Sequence, residues 1–408
     1  MKRYLSNFKL SESFVTNSIY DCLNGNSSGT KKWYRNDTSH LFKEYYLMYC
    51  EEYNIKPNLN DDKIKKLLHP CCVDDIPNLY KLVGYIGHKI YNEIVEKNIM
   101  LDPIQYTIRF DKTSNKTREI GTASIKQQIY DYIVVNACRK MFMAKIGKYQ
   151  CASLPKRGQL FGKSAIEVWI RTNPQKCRYI FKADVKKYYP SIDHNILKTY
   201  LKRDIKNDDI LYILFTLIDS YKCGLCIGSY LSQYLANYIL SYAYHYISEQ
   251  VYKIRRGKRV SLIKHVLFYM DDIILFGSNK KDVKMASKML EKYLLDKFNL
   301  TLKPSHQLFK LDSRPIDMMG YKIYTYKTTI RRKTFLKANK ILLKQKGKKN
   351  ITIADAYKVV SYNGYFVHSW SKKYQNKVKM NETLIVAKEM ISNVSKKRCR
   401  VQWKTAIL

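Results

Sequence analysis

Two adjacent carboxylates, Asp271 and Asp272, have the setting in this 408-residue chain that most strongly indicates chemistry. Largely apolar stretches flank them, Leu262–Phe268 before and Ile273–Phe276 after. This pattern predicts two strands joined by a tight turn, with both carboxylates at the tip of a β-hairpin. Two like charges held together on a rigid backbone are unfavourable unless something neutralises them. A divalent cation does so, and oxygen ligands of this kind suit Mg²⁺.

A third carboxylate, Asp184, ends another predicted strand that begins near Arg178. Three carboxylates on neighbouring strands can hold two metal ions about 4 Å apart, the arrangement used for in-line phosphoryl displacement. The sequence therefore predicts a nucleotidyl-transfer site made by Asp184, Asp271 and Asp272. The alternative for the adjacent pair is an ordinary solvated turn, because aspartate favours turns for its own backbone chemistry.

The charge balance of the chain is strongly basic. Its 74 Lys and Arg residues outnumber 34 Asp and Glu residues, which gives a formal net charge of +40, and 36 tyrosines are interleaved with them. A polyanionic partner makes such self-repulsion tolerable, and aromatic rings between cations suit stacking on bases. A compositional bias toward Lys and Tyr would explain part of the excess but hardly the shortage of acids, so nucleic acid is favoured over an anionic membrane surface. The basic clusters are Lys253–Arg259, Arg331–Lys340, Lys344–Lys349 and Lys396–Arg400.

Several classes of protein fit the sequence poorly. Met1–Leu10 carries charge and no apolar core, so we expect no secretory signal, and no apolar run is long enough for a membrane span. The ten cysteines have no framework spacing: Cys223 and Cys226 form one CxxC, Cys71 and Cys72 are adjacent, and neither has a matching second pair. We therefore expect reduced thiols in a cytoplasmic protein rather than disulfides or a zinc site.

The hydrophobic pattern divides the chain into three predicted parts. Residues 1–100 are predicted to be a helical extension, 101–334 a mixed α/β core, and 335–408 a basic helical region broken at Gly347–Asn350. Predicted helices are Tyr80–Ile99, Ile125–Phe142, Gly158–Arg171, Asp193–Ile205 (with its N-cap near Pro190 and Ser191), Tyr230–Ile247 and Val283–Phe298, and predicted strands include Thr107–Phe110, Arg118–Ile120, Leu300–Leu302 and Met319–Tyr326.

With these pieces in order, the chain resembles a reverse transcriptase from about Tyr106 to Trp370. The resemblance implies an α+β right-hand polymerase fold, with fingers and an antiparallel palm sheet in 101–334, a helical thumb in 335–408 and an N-terminal helical extension. The blocks that carry it are Lys116–Ile120 for the fingers, Asp184–His194 and Ile227–Gln233 for the first palm blocks, Tyr269–Asp272 for the signature YMDD hairpin, and Leu302–Lys303 and Met318–Tyr321 for the blocks that close the palm.

The resemblance also implies a role for individual residues in two-metal catalysis. Asp184, Asp271 and Asp272, with the backbone carbonyl of Val185 as an extra ligand, would hold two Mg²⁺ ions, for which Mn²⁺ can substitute. Lys303 would donate a proton to the leaving pyrophosphate. A solvated lysine after a strand is the alternative for Lys303.

Other residues would bind the nucleotide and the primer. Lys116 and Arg118 would neutralise the triphosphate, although surface charge on a hairpin is the alternative. Tyr189 would exclude a 2′-hydroxyl by its bulk; the alternative is core packing, and Tyr188 is rejected for the role. Residues expected beside the incoming nucleotide are Ile227, Gly228 and Gln233, and those expected at the primer grip are Met319 and Gly320.

The block at Ile227 indicates a subfamily. Most reverse transcriptases have Gln-Gly-x-x-x-Ser-Pro where this chain has Ile227-Gly228 and Ser232-Gln233, and the Ile-Gly form is similar to diversity-generating retroelement enzymes. Isoleucine offers apolar contact but no hydrogen bond, and a site that loses hydrogen bonds to its substrate loses discrimination. We therefore expect error-prone copying, unless Ile227 only packs the start of a helix.

These inferences predict an RNA-directed DNA polymerase that makes cDNA in a diversity-generating retroelement. Its expected partners are an RNA template, a DNA primer or cDNA, dNTPs and a small basic accessory protein, with no membrane. The alternative is an antiphage-defence reverse transcriptase that copies a dedicated non-coding RNA. A non-catalytic RNA-binding protein is a different class, and the presence of all three carboxylates counts against it.

Overall fold

The computed structural model describes residues 3–25, 32–68, 75–111, 116–348 and 350–405. They form helices and short antiparallel sheets that divide into two compact units, each drawn from several stretches of the chain. The first unit comprises Met1–Lys148, Val185–His245 and Glu291–Leu302, and the second comprises Tyr149–Asp184, Tyr246–Leu290 and Lys303–Leu408.

The first hundred residues are helical, as predicted, in the part that the structure describes. Ser11 and Asn60 begin two of these helices by accepting hydrogen bonds from the N–H groups of Phe14 and Lys63, the usual role of an N-cap. The predicted hairpin and the long helix after it are also confirmed. The elements are α1 (Glu12–Asn24), α2 (Asn36–Glu52), α3 (Asp61–Leu67), α4 (Asp75–Val95), β1 (Gln105–Asp111), β2 (Lys116–Thr122) and α5 (Ile125–Lys145).

The middle of the chain contains one helix that the pattern did not predict, over residues 208–219. The predicted helix at Asp193 is present, but its cap is Asp193 itself, which accepts a hydrogen bond from the N–H of Ile196, while Pro190 and Ser191 lie in a preceding 3₁₀ turn. The prediction of a cap near Pro190 was therefore wrong by three residues. The elements are α6 (Gln159–Thr172), β3 (Tyr179–Asp184), α7 (His194–Asp204), α8 (Asp208–Asp219) and α9 (Tyr230–His245).

The next segment contains the predicted Asp-Asp hairpin and, before it, a second hairpin that the sequence analysis missed. The predicted strand at Leu300–Leu302 is wrong, because only Leu302 forms an isolated bridge, with Val185. The elements are β4 (Tyr252–Arg255), β5 (Lys258–Ser261), β6 (His265–Tyr269), β7 (Asp272–Gly277), α10 (Lys280–Phe298) and β8 (Gln307–Lys310).

The last segment differs from prediction at Met319–Tyr326, which is not a single strand. Met319 and Gly320 have φ of 53° and 80° and form the turn between two strands. Two consecutive residues with positive φ reverse an antiparallel pair, so the strand must break there. The elements are β9 (Ile316–Met318), β10 (Tyr321–Ile323), β11 (Thr328–Ile330), α11 (Arg332–Gln345), α12 (Ile353–Val367), α13 (Lys372–Lys377) and α14 (Met380–Thr405).

Some sequence predictions concern residues for which the structure gives no description. Cys71, Cys72, Lys349 and the side chains of Lys396–Arg400 lie outside the described residues. The cysteines whose side chains are described are free thiols, as expected. In the part of the chain that the structure describes, no helix is both long and apolar enough to cross a bilayer.

A buried carboxylate, Asp204, joins three helices of the first unit. Its side chain is fully buried and accepts hydrogen bonds from Lys145 on α5 at 2.8 Å, from Tyr238 on α9 at 2.7 Å and from Tyr242 on α9. Burial alone would raise the pKa of Asp204, but hydrogen bonds from Lys145, Tyr242 and Tyr238 outweigh it and lower the pKa. Asp204 therefore remains ionised and ties α5, α7 and α9 together.

We predict that Asp204→Ala lowers the free energy of unfolding by about 3 kcal/mol at pH 7, because Lys145 would keep a buried charge without its partner. The native pKa of Asp204 lies below its unfolded value. Its contribution is therefore present at neutral pH and disappears as the pH falls through that lowered pKa. Urea unfolding at pH 7 and pH 3 measures both effects.

Asp219→Ala is the matched control, since Asp219 is 59% exposed and pairs with Lys198 at the surface. Surface pairs contribute at most about 1 kcal/mol. Equal losses in the two variants would contradict the role of Asp204.

Candidate active site

The candidate active site is built on a four-stranded antiparallel sheet with the strand order β6-β7-β3-β8. The two central strands carry buried apolar residues: Ile273–Phe276 on β7 are fully buried, and Ile180 and Phe181 on β3 are nearly so. Trp169 of α6 packs in the same apolar cluster. Central strands fixed on both edges hold their end residues in defined positions, which a site for phosphoryl transfer requires.

Asp184 and Asp272 are brought together by the register of this sheet. Asp184 is the last residue of β3 and Asp272 the first of β7, and the two are direct partners across the strands. Directly opposed residues have Cβ atoms about 5 Å apart, so their carboxyl groups can touch. The prediction that Asp184 meets the hairpin across adjoining strands is confirmed.

The hairpin itself differs from the predicted one by one position. Tyr269 pairs with Asp272, so only Met270 and Asp271 form the turn, and Asp272 belongs to the strand. A two-residue turn is the shortest that closes an antiparallel pair, which is why only Asp271 lies at the tip. Met270 has a φ of 55°, a conformation that residues other than glycine rarely adopt and that is found more often at functional sites.

The carboxyl groups of Asp184 and Asp272 share one proton. Burial raises the pKa of Asp272 to about 8, and a hydrogen bond to Asp184 together with the charges of Asp184 and Asp271 contribute, while Lys182 opposes them. Burial also works against ionisation of Asp184, but the hydrogen bond from Asp272 and the ammonium group of Lys303 lower its pKa. Asp272 is thus the protonated partner at neutral pH, as in other paired carboxylates.

Lys303 lies beside Asp184, and its proposed role as a proton donor stays a prediction. Its ammonium nitrogen is 3.1 Å from a carboxylate oxygen of Asp184, and its backbone N–H donates to the carbonyl of Asp184 at 2.8 Å. Val185, the next residue, is fully buried and is held through the bridge to Leu302. The ammonium group of Lys303 and the shared proton therefore partly balance the negative charge of the carboxylate pair.

A divalent cation fits the chemistry of this pair, because it would replace a proton that two opposed carboxylates otherwise share. Carboxylate oxygens also match the preference of Mg²⁺ and Mn²⁺. Within the described residues, no group of three or more His, Cys, Asp or Glu side chains is arranged to hold a metal ion. The three-carboxylate cluster that includes Asp271 therefore stays a prediction.

Lys116 and Arg118 lie on β2 in the first unit, and both are exposed. Arg118 is directly opposite Arg109 on β1. Like charges in directly opposed positions destabilise a hairpin unless an anion lies between them. The contact of Lys116 and Arg118 with a triphosphate stays a prediction.

Tyr188 and Tyr189 occupy different environments, which the sequence analysis distinguished. Tyr188 is 3% exposed and its hydroxyl donates to the carbonyl of Ala236, so it is a core residue. Tyr189 is only partly buried and lies edge-on to the ring of Tyr188. The rejection of Tyr188 as the gate agrees with its burial, and the assignment of Tyr189 remains a prediction.

The segment Ile227–Gly228 is fixed to β2. The N–H of Gly121 donates to the carbonyl of Ile227 at 2.9 Å, which places this segment beside the strand that carries Lys116 and Arg118. Gly228 has a φ of 124°, and a Cβ there would lie 2.3 Å from the carbonyl oxygen of Gly121. Only glycine fits this contact.

Asp131 is a residue of this region that the sequence analysis missed. It is buried in α5 and accepts hydrogen bonds from the hydroxyl of Ser229 at 2.8 Å and the N–H of Tyr230 at 3.1 Å. It thereby caps α9, whose partly buried Gln233 lies one turn further on. Burial raises the pKa of Asp131 to about 6 although these hydrogen bonds oppose the shift. The sequence offers one indication of this role, because Asp131 is the single acid in the otherwise uncharged run Ile129–Val135.

Met319 and Gly320, the predicted primer grip, form the tight turn between β9 and β10. Met319 is 6% exposed, and its carbonyl accepts a hydrogen bond from the side chain of Gln159. A Cβ at Gly320 would lie 2.8 Å from the ring of Tyr365. The turn is therefore held tightly in place, and its contact with a primer remains a prediction.

Comparison with known proteins identifies one family. Residues 110–323, slightly more than half of the chain, match the family described as "Reverse transcriptase (RNA-dependent DNA polymerase)". No curated protein sequence matches the chain. The family match is the finding that bears on function.

Two solved structures are similar to this chain in their backbone. One is apo telomerase from Candida tropicalis truncated from its C-terminal domain, with 14% identity and a TM-score of 0.41, covering 77% of this chain and 86% of that one. The other is apo telomerase from the same organism, with 12% identity and a TM-score of 0.43, covering 96% and 81%. Both TM-scores are below 0.5, so neither likeness carries weight for function.

We predict that Asp272→Asn makes the metal-free protein more stable relative to wild type as the pH rises. The folded pKa of Asp272 lies near 8 and its unfolded pKa near 4. Across that interval the unfolded state releases a proton that the folded state keeps, so the wild type loses stability progressively as the pH rises. At pH 8.5 the gain should be on the order of 1 kcal/mol after solvent screening, and absent at pH 4.

Thermal unfolding in EDTA between pH 4 and 8.5 measures this difference. Asp312→Asn is the control, because Asp312 is an exposed surface acid. Parallel pH profiles for wild type and Asp272→Asn would show that the carboxylates do not share a proton.

Proposed function

Because the chain belongs to the reverse transcriptase family, we propose that Asp184, Asp271 and Asp272 are the metal ligands of its RNA-directed DNA polymerase activity. The enzyme is a nucleotidyltransferase that uses an RNA template and nucleic-acid substrates, and reverse transcriptases generally use divalent metal ions. The observation that supports the assignment is the direct pairing of Asp184 with Asp272 across β3 and β7, beside the turn that carries Asp271.

Two Mg²⁺ ions, for which Mn²⁺ can substitute, would activate the primer 3′-hydroxyl and stabilise the charge that develops on pyrophosphate. Asp184, Asp271 and Asp272 would hold the ions, with the Val185 carbonyl as an additional ligand. Lys303 neutralises Asp184 at 3.1 Å in the metal-free protein. Its proposed role is to give a proton to the pyrophosphate as it leaves.

The remaining predicted residues would orient the substrates. Lys116 and Arg118, both exposed on β2, would neutralise the triphosphate. Tyr189 would exclude ribonucleotides by its bulk. Met319 and Gly320 would position the primer terminus.

We predict that Asp271→Asn reduces primer extension on an RNA template by about a thousandfold or more. A neutral amide cannot replace the carboxylate that would hold the metal ions, and those ions stabilise the charge of the transition state. Binding of RNA should change little, because the substitution leaves the basic surface intact. Extension with labelled primer and electrophoretic RNA binding measure the two properties.

The control for this experiment is Asp312→Asn, which removes the same charge at an exposed position. Extension by Asp271→Asn at more than about a tenth of the wild-type rate would refute the assignment, since loss of a required charged group costs far more.

We also propose that the enzyme copies RNA inaccurately as part of a diversity-generating retroelement. The supporting feature is Ile227, which stands where most reverse transcriptases have glutamine. Its backbone is fixed to Gly121 and its side chain is partly exposed, so the position is defined but offers no hydrogen bond. A small basic accessory protein is the proposed partner in this role.

Introducing glutamine at position 227 tests this proposal. We predict that Ile227→Gln lowers the substitution rate several-fold, because the added amide can discriminate by hydrogen bonding. Ile227→Val is the control and should leave the error spectrum unchanged. Sequencing of cDNA made on a defined RNA template measures the rate, and an unchanged spectrum in Ile227→Gln would remove the argument for low fidelity.

An antiphage-defence enzyme that copies a dedicated non-coding RNA is the second candidate. The observation that favours it is the tight attachment of the N-terminal helices to α5. Glu93 accepts hydrogen bonds from the buried Tyr130 at 2.6 Å and from Lys126 at 2.9 Å, and Asp21 accepts one from Asn136 at 2.9 Å. The extension is thus built into the first unit, which fits a specialised role.

Sequencing the RNA and cDNA that co-purify with the chain separates the two candidates. Mutated copies of a repeat adjacent to the gene support the diversity-generating role. One uniform cDNA from a single non-coding RNA supports the defence role.

A further inference from the structure

The hairpin of β4 and β5, residues 252–261, forms a two-stranded sheet by itself; we call it the basic ribbon. It precedes the Asp-Asp hairpin in the second unit and contains no acidic residue. Half of its ten residues are cationic: Lys253, Arg255, Arg256, Lys258 and Arg259.

The cations at the outer end of the basic ribbon repel one another. Arg255 and Lys258 are direct partners across the strands, and Arg256 lies in the turn between them. Directly opposed like charges destabilise an antiparallel pair. Among the residues that the structure describes, no acidic side chain forms an ion pair with these three cations. Within the described part of the chain, this repulsion is therefore uncompensated.

The turn adds a cation at the expense of backbone stability. Arg256 and Gly257 have φ of 49° and 72°, the two positive values that a type I′ turn requires. Asparagine or aspartate is favoured at the first of these positions, because other side chains are strained there. Arg256 therefore adds a cation at the outer end of the basic ribbon in a conformation that would suit asparagine better.

The base of the basic ribbon is firmly held. Lys253 donates to both carboxylate oxygens of Asp282 on α10 at 2.7 Å, so the cation at the base has an acidic partner. The buried residues Val251 and Leu262 close the base with a backbone hydrogen bond of 3.2 Å. The uncompensated charge is thus presented on a fixed support rather than on a loose loop.

The two faces of the basic ribbon differ. Lys253, Arg255 and Lys258 share one face by the alternation of side chains along a strand. The other face carries Arg259, whose guanidinium lies 4.7 Å from the ring centre of Tyr252, and Ile254, which is 73% exposed. A cationic face next to aromatic and apolar groups suits phosphates on one side and sugars or bases on the other.

We infer that the basic ribbon binds the phosphate backbone of nucleic acid, as a binding element separate from the carboxylate site. Phosphates would relieve the repulsion between Arg255 and Lys258, and the guanidinium groups can bind them in a bidentate manner. A nucleic acid is favoured over an acidic protein surface because the family acts on RNA and DNA and the chain carries +40 charges. The inference rests on the nucleic-acid substrates of the family but not on the assignment of the catalytic residues.

The test compares two charge-matched double variants of the full chain. Arg255→Gln/Lys258→Gln removes two cations from the ribbon, and Lys65→Gln/Lys66→Gln removes two exposed cations from α3. Binding is measured in EDTA without dNTPs, so a failure of the catalytic assignment would not affect it. The ligands are a 20-nucleotide single-stranded RNA, an RNA hairpin and an RNA–DNA hybrid.

The ribbon variant should bind at least one ligand about tenfold more weakly near 150 mM salt, and its slope of log affinity against log salt should flatten by about 1.5, the value for two lost phosphate contacts. The α3 variant should stay within about twofold of wild type. Loss only with single-stranded RNA assigns the ribbon to the template, and loss only with duplex ligands assigns it to the product. Both results support the inference.

Arg256→Asn separates binding from folding. Asparagine suits the turn better, so this variant should unfold at a higher temperature while binding nucleic acid several-fold more weakly. The inference is overturned if the two double variants lose affinity equally. It is also overturned if none of the ribbon variants changes affinity for any of the three ligands, the result expected when the ribbon binds an acidic protein surface instead.

Discussion

The site depends on an electrostatic conflict between Asp184 and Asp272, which the register of β3 and β7 forces into opposed positions. In the absence of metal, the conflict is relieved by a shared proton and by the ammonium group of Lys303. A divalent cation can replace both the proton and the ammonium group, because it supplies more charge to the same oxygens. The sheet thus spends folding energy to keep two acids together. The buried residues Ile180, Phe181, Ala183 and Ile273–Phe276 make that position rigid.

Two buried acids and two exposed cations of the chain differ in the partners that surround them. Asp204 and Asp131 are buried, and each accepts several hydrogen bonds that join helices. The exposed cations Arg255 and Lys258 of the basic ribbon instead face each other across two strands. These two buried acids therefore serve internal structure, whereas the opposed cations of the basic ribbon are available to a partner. This division gives a physical meaning to a net charge of +40 that composition alone does not provide.

The sequence allowed the strand that ends at Asp184 and the hairpin at Asp271 to be predicted, because apolar runs interrupted by charge are local signals. Details set by turn geometry, or by contacts between distant segments, could not be predicted in this way. A two-residue turn moves Asp272 into the strand, and successive positive φ values turn Met319–Gly320 into a corner. Asp131 caps α9 from a helix a hundred residues earlier, and the spacing of residues within α9 does not reveal it.

The same limit explains why the basic ribbon was seen only as a charge cluster in the sequence. Periodicity of Lys253–Arg259 does not show that Arg255 faces Lys258, since that follows from the position of the turn at Arg256-Gly257. Pairing changes the meaning of the cluster, because charges spread along a coil can separate whereas charges fixed across two strands cannot. A rigid arrangement of like charges is maintained at a cost in stability. The basic ribbon and the carboxylate pair therefore share one property. Each holds like charges close together, and an ion of opposite charge would relieve the repulsion between them.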